Sequence, residues 1–326
     1  MNRENPWNQP VYAQFREKID PFRDSQYFRP LDRIYNGDNS FWSVPSPEPP
    51  LNRHFWELVS CHLDNDRIKK AAVSLANAIA QWEPDGKKLV FAAILRAGVP
   101  VADWLCRLLP GSAAVSISLF VGLGMDKTAL KLIRQQYPNR KIVFVDGWTG
   151  KGGVAREISQ TKAGPLAVLI DPWGCADFSG TGDDLFCPSA CFTGAATLGF
   201  SRTFYVDSES LFAAYLFPRE YCQEELVKSW QMNSPKHLNS YEHTETKKSF
   251  FRQTDMRLHS NEVCRALINA DPDTVYFLND PVYVKEHYPL LLALAELRKV
   301  KAVYNAGMLS DYRTRAACSF KKKLET

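Results

Sequence analysis

Apolar positions along this chain recur with two periods. Over 66–82 they fall on one helical face, with Ile68, Ala72, Leu75, Ala76 and Ile79 aligned, which predicts a helix packed on a sheet. A shorter helical pattern covers 52–62. Mainly apolar stretches at 89–95, 114–119, 141–145 and 166–170, broken only by Ser116, Ser118 and Lys141, predict buried strands. The first three lead through glycine-containing or small-residue loops into helical patterns (to 109, over 126–136, over 154–159). This alternation predicts an α/β fold built on a mainly parallel, doubly wound sheet. Around it, residues 1–50 read as an irregular, proline-dotted arm and 51–217 as the α/β domain. Residues 218–249 read as helix plus linker, and 250–326 as a small α-β-α domain. The small and polar stretch 174–203 predicts either a substrate-side cap, with Ser201, Arg202 and Thr203 as donors, or a small-residue helix packed on a neighbour.

The chemistry concentrates where the run 141–145 meets Asp146-Gly147-Trp148-Thr149-Gly150-Lys151-Gly152-Gly153. A strand, a glycine loop and a helix start suit an anion, because bare backbone N–H groups approach it and the helix dipole favours it. The spacing is neither a P-loop nor a G-x-G-x-x-G fingerprint, and an ordinary strand–helix turn is the alternative. The loop resembles that of the type I phosphoribosyltransferases at Val145-Asp146 and Gly152-Gly153. It departs from it at Gly147, where a second acid is usual, and at Lys151, where a hydroxyl is usual. The stretch Ile94-Leu95-Arg96-Ala97-Gly98 resembles the diphosphate-holding loop of uracil-using members, with Arg96 suited to bidentate phosphate contact.

Composition narrows this picture little. Of the 326 residues, 45% are apolar and 23% charged, and no run approaches a membrane span. The N-terminus lacks a signal-peptide pattern, so a cytoplasmic, non-membrane protein is expected. Eight cysteines are scattered without a C-x-x-C pair, which argues against structural zinc and for reduced thiols. Charge is uneven: residues 247–326 carry +5, and the remainder −1.

The motifs Arg96-Ala97-Gly98-Val99-Pro100, Phe144 to Gly152, Asp171-Pro172, Pro188-Ser189-Ala190 and Gly199 to Thr203 together resemble one bacterial family. It is the cysteine protease StiP family, also described as a phosphoribosyltransferase-like domain fused to a Pelota-type RNA-binding domain and found beside tellurite-resistance stress genes. The resemblance implies binding of phosphoribosyl diphosphate with Mg²⁺ and transfer of ribose 5-phosphate to a base or related acceptor. It implies catalytic roles for Asp146 and Arg202, and ligand contacts from Arg96, Ala97, Gly98, Thr149, Gly150, Lys151, Gly152, Gly153, Asp171 and Ser201. No residue is assigned as a dedicated metal ligand, because Gly147 replaces the second acid. Structured RNA would meet Arg313, Arg315, Lys321, Lys322 and Lys323 in the basic C-terminal part.

Two alternatives stand beside the transferase. One is a non-catalytic regulator that binds the diphosphate and RNA. The other is the cysteine protease of the family's name, which needs a thiol and an activating histidine. The histidines are 54, 62, 237, 243, 259 and 287, so none lies among the motifs, and Cys175, Cys187 or Cys191 would meet His54, His62 or His237 only through the fold. No local protease signature surrounds any cysteine, and each reads as a small buried residue.

Overall fold

The computed structural model describes residues 5–33, 35–238 and 250–321. The chain opens with β1 (Gln14–Lys18), then α1 (Arg53–Cys61) and α2 (Asp66–Trp82). Both helices start on asparagine caps: Asn52 accepts from the Phe55 N–H, and Asn65 from those of Arg67 and Ile68. The main sheet follows, with β2 (Leu89–Ile94), α3 (Gly98–Leu108), β3 (Ala113–Ile117), the short hairpin β4 (Leu119–Phe120) and β5 (Gly124–Met125), and α4 (Lys127–Gln136). Then come β6 (Lys141–Trp148), α5 (Gly153–Thr161), β7 (Leu166–Ile170) and β8 (Phe178–Thr181). Five strands lie in the order β3-β2-β6-β7-β8, all parallel, as the alternating pattern predicts. Every residue of β2 and β7 is buried, which is why they read as unbroken apolar runs.

The order reverses between β2 and β6, so the loops after their carboxyl ends form the sheet's switch point. Helix α3 enters there so closely that a Cβ on Gly98 would stand 2.1 Å from the Val145 carbonyl oxygen. One face of the sheet is covered by α2 and α3 through Leu75, Ile79 and Trp104, and the other by α4 and α5 through Ile133 and Ile158.

Beyond β8 the chain forms α6 (Gly194–Thr197), β9 (Ala213–Leu216), which pairs in parallel with β1, and α7 (Glu224–Met232). The N-terminal segment is thereby stitched to the centre, and Trp7 Nε1 donates to the Thr197 carbonyl at 2.8 Å. Helix α7 packs Trp230 flat against Trp104, ring centroids 4.2 Å apart. The C-terminal part comprises β10 (Arg257–Leu258), α8 (Ser260–Asn269), β11 (Thr274–Phe277), α9 (Pro281–His287), α10 (Pro289–Leu297), β12 (Lys301–Val303) and β13 (Ala316–Ser319). Its four strands run β10-β13-β11-β12, and Val263 and Leu267 of α8 share the large core with Cys187 and Phe192.

Three local expectations change. The strand read over 141–145 continues to Trp148, so Asp146 sits inside the ladder opposite Val168. The stretch 174–203 supplies the edge strand β8, and Gly180 lies against α2, where a Cβ would stand 2.3 Å from the Ala71 carbonyl oxygen. The small C-terminal α-β-α part holds a further helix, α9, which ends before α10 because Pro289 excludes helical backbone at Tyr288 (φ −130, ψ 41).

Candidate active site

The loops following β6 and β7 carry the chain's unusual chemistry. Asp171 ends β7 and is buried. Its carboxylate accepts the Thr149 hydroxyl at 2.5 Å and the backbone N–H groups of Cys175 at 2.9 Å and Ala176 at 2.7 Å. These bonds fold the loop 171–176 into a tight arch and fix the Cys175 backbone. Trp173, at the arch's centre, is fully buried and donates Nε1 to the Tyr312 carbonyl at 2.8 Å. Cys175 is half-buried and packs with the Trp173 cluster. Its Sγ faces the start of α5, where a Cβ on Gly152 would stand 3.1 Å from the sulfur. Gly152 also holds φ +79, so glycine is required there twice over.

A histidine from the far end of the chain meets the arch at Trp173. His259, the residue before α8, is 1% exposed, and its ring meets Trp173 edge-on at 5.6 Å. Its backbone has φ 77 and ψ 140, a conformation that costs a residue with a side chain about 1–3 kcal/mol. That backbone is pinned by bonds from the His259 N–H to the Ala316 carbonyl and the Thr314 hydroxyl, each 2.9 Å. Neither ring nitrogen makes a hydrogen bond among the described residues, although the Thr149 backbone lies close enough to favour the charged ring. Burial lowers the imidazole pKa, while Asp184, Glu262, Thr149 and Asp171 oppose the shift. Burial, then Asp171, pushes the Cys175 thiol up to about 11, so the thiol rests protonated, and Trp173 and Asp171 are the groups it shares with His259.

Asp146 lies in β6, with Glu262 and Arg265 of α8 as its charged neighbours. Burial, then the nearby Glu262, raises its carboxyl to about 7, against the Gly147 N–H and Arg265, which lower it. Part of its surface stays open even though protein surrounds the group. A folded pKa above the unfolded 3.8 favours the protonated fold, a benefit complete below about 4 and lost as pH rises through about 7. Asp146→Asn keeps the acceptor for the Gly147 N–H at 2.8 Å and cannot ionise. Its stability relative to the unsubstituted protein should therefore climb between pH 4 and 7, by at most about 4 kcal/mol, and then level off. Urea midpoints across that range check this, and a flat difference would contradict the buried-acid assignment.

The remaining residues singled out in sequence divide by location. Thr149, Gly152 and Asp171 join Cys175 and His259. Gly150 abuts Glu262, Gly153 abuts Val121, and Lys151 Nζ donates to the Thr254 carbonyl at 2.8 Å. Arg96 is not open to a diphosphate: it pairs with Glu48 at 2.8 Å and donates to Asn269 of α8 at 2.7 Å. Ala97 packs against Gly147, while Gly98 meets β6. Arg202 lies over the Trp42 and Phe120 rings at 4.9 and 5.1 Å, and Ser201 donates to the Arg202 carbonyl at 2.8 Å. Helix α8 thus covers the switch point, with Glu262 also accepting Trp148 Nε1 at 2.8 Å. The residues do not fit the Mg²⁺ of the resemblance. The loop neighbour of Asp146 is Gly147, and among the described residues no group of three His, Cys, Asp or Glu is placed to hold a metal.

Of the basic C-terminal set, Arg313 lies over the Phe250 ring, Arg315 is half-buried with its N–H on Asp184, and Lys321 is exposed. Lys322 and Lys323 lie outside the described residues. Sequence reasoning sought a partner for Cys175 at His54, His62 or His237 and overlooked His259. No local signal marks His259, whereas the strand-end motif before Cys175 was visible.

The remaining thiols lack this setting. Cys187, Cys191 and Cys264 are fully buried, with Cys187 Sγ 3.2 Å from the Ser189 hydroxyl and the Cys191 and Cys264 sulfurs 3.8 Å apart. Cys61 is exposed beside His62, whose Nδ1 is tied to the Leu58 carbonyl at 2.8 Å.

The sequence model described as "Tellurite-like stress resistance cysteine protease StiP" matches residues 32–231 of this chain. Over 138 residues the chain is 34% identical to the cysteine protease StiP of Acinetobacter baylyi, a match covering 38% of this chain and 36% of that protein. These findings overturn the phosphoribosyltransferase function, and the diphosphate and Pelota descriptions find no support in them. Both matches name a cysteine protease, and nothing in them supports ribosyl transfer.

Proposed function

The chain belongs to the StiP family of tellurite-like stress resistance cysteine proteases, and from that premise we propose that it hydrolyses peptide bonds with Cys175 as nucleophile and His259 as base. The observation that carries the proposal is His259: a buried imidazole whose ring nitrogens find no hydrogen-bond partner among the described residues, on strained backbone, against the tryptophan of the arch that presents Cys175. Strained backbone and unmet buried polar groups cluster at sites of function.

The chemistry follows from these parts. The Cys175 sulfur attacks the substrate carbonyl carbon as its proton passes to His259, forming a tetrahedral oxyanion. The first turn of α5 offers N–H groups for that oxyanion, since its glycine cap supplies no side-chain acceptor. The C–N bond then breaks as His259 returns the proton to the departing amine, leaving a thioester. Water, deprotonated by His259, attacks the thioester and releases the acid and the thiol. Asp171 acts as a positioning residue through the Cys175 and Ala176 N–H groups. The carboxylates of Asp171, Asp184 and Glu262 favour the imidazolium that forms after proton transfer.

A peptidyl chloromethyl ketone tests the assignment directly. It should alkylate one cysteine, Cys175, as read by peptide mass spectrometry, and His259→Gln should slow that labelling at least tenfold. Labelling confined to another cysteine, or labelling at an unchanged rate in His259→Gln, would overturn it.

A further inference from the structure

On the far side of α5 from the arch lies an open groove of about 800 Å³, between α4, α5 and the β4–β5 hairpin. Helix α4 buries Ala129, Leu130 and Ile133 against the sheet, so its opposite edge is left to solvent. That edge carries Lys127, Lys131 and Arg134, all exposed and all lining the groove. Residues at this spacing share one helix face. None of the three pairs with a carboxylate among the described residues. The one acidic side chain in the lining, Glu157, is already held by the Gly122 N–H at 2.9 Å. The floor is apolar, formed by Leu123, Met125 and Leu130.

We infer that this groove binds an extended acidic peptide segment. The cations lie about 6 and about 4.5 Å apart along the helix axis. Same-side chains of an extended peptide repeat at about 6.6–6.8 Å, within the reach of flexible lysine and arginine stems. Carboxylates at alternate positions can therefore meet the α4 edge while the intervening apolar side chains face the floor. A nucleic acid fits less well: no aromatic ring lines the groove to stack a base, and Glu157 would face the phosphate backbone. The groove also adjoins the glycine loop, because Val121, beside the hairpin, packs against Gly153, the first residue of α5. The inference stands apart from the hydrolase reading and is tested without turnover.

The test is fluorescence anisotropy on the full chain carrying Cys175→Ala, so that nothing is cleaved. The probes are a fluorescein-labelled octapeptide of alternating glutamate and valine, its lysine–valine counterpart, and a single-stranded oligonucleotide of equal charge. The acidic peptide should bind at least tenfold more tightly than either control, and more weakly as salt rises. Combined Lys127→Glu, Lys131→Glu and Arg134→Glu should weaken it at least tenfold with an unchanged melting temperature. Should that variant fail to fold, Lys131→Gln with Arg134→Gln, which removes charge without reversing it, should weaken binding at least threefold. Acidic-peptide binding no tighter than the lysine counterpart, or unaffected by these substitutions, overturns the inference. Tighter binding of the oligonucleotide overturns it in favour of a nucleic-acid surface.

Discussion

Replacing Cys175 with alanine is expected to lower peptide hydrolysis by at least ~10⁴-fold, because a nucleophile that forms a covalent intermediate has no substitute in the site. His259→Gln should cost about 10²–10⁴-fold, the range for a positioned general base. The pH dependence separates a neutral pair from a preformed thiolate. Burial lowers the His259 pKa below 6.5, and only the unprotonated ring can take the thiol proton, so kcat/KM should rise with pH on a limb whose midpoint lies below 6.5 and then level off. The thiol itself, pushed up to about 11, should show no thiolate absorbance near neutrality. Initial rates on a labelled unfolded protein substrate, with matched melting curves for both variants, are the measurement. Undiminished turnover in Cys175→Ala would remove this cysteine from the mechanism.

Asp184→Ala should loosen the docking of the C-terminal part at a cost of about 3–5 kcal/mol. The carboxylate is buried and accepts the Ser260 N–H at 2.9 Å, the Arg315 N–H at 2.7 Å and the Thr314 hydroxyl at 3.0 Å. The Thr314 hydroxyl can turn to the Ala316 carbonyl at 2.7 Å, but the two backbone donors have no second acceptor residue among the described residues. Each buried donor left unmet costs about 1–3 kcal/mol. Asp184→Asn retains one acceptor oxygen and should lose roughly half as much. Urea unfolding, read as a midpoint change at constant slope, resolves the series. A loss below about 1 kcal/mol for alanine would mean that this junction is not what holds α8 and β13 in place. The same bonds set the Thr314 hydroxyl that pins His259, so the alanine variant should also slow Cys175 alkylation.

What could be read from the sequence was whatever neighbours along the chain determine. Strands β2 and β7 are covered on both faces, so their burial appears as unbroken apolar runs. Helix α2 displays its period because one face packs and the other is solvated. The strand end before Cys175 was equally visible in Asp171-Pro172-Trp173-Gly174, whereas the arch itself is closed by the Asp171 carboxylate. Strand β8 was not: Phe178-Ser179-Gly180-Thr181 has no strand pattern, and contact with α2 and pairing with β7 make it one. Arg96 and Arg202 read as anion ligands because an arginine in a loop carries no sign of its partner. Glu48, Asn269 and the Trp42 and Phe120 rings were supplied by the fold. His259 is the clearest case. Its strained backbone and its place against Trp173 follow from α8 and β13 docking through Asp184, bonds that span up to 131 residues. Periodicity records which face of an element meets protein, but not which distant segment meets it. The sequence by itself determined four of the five main-sheet strands and the strand end before Cys175, and only long-range packing decided β8 and the placing of His259 against Trp173.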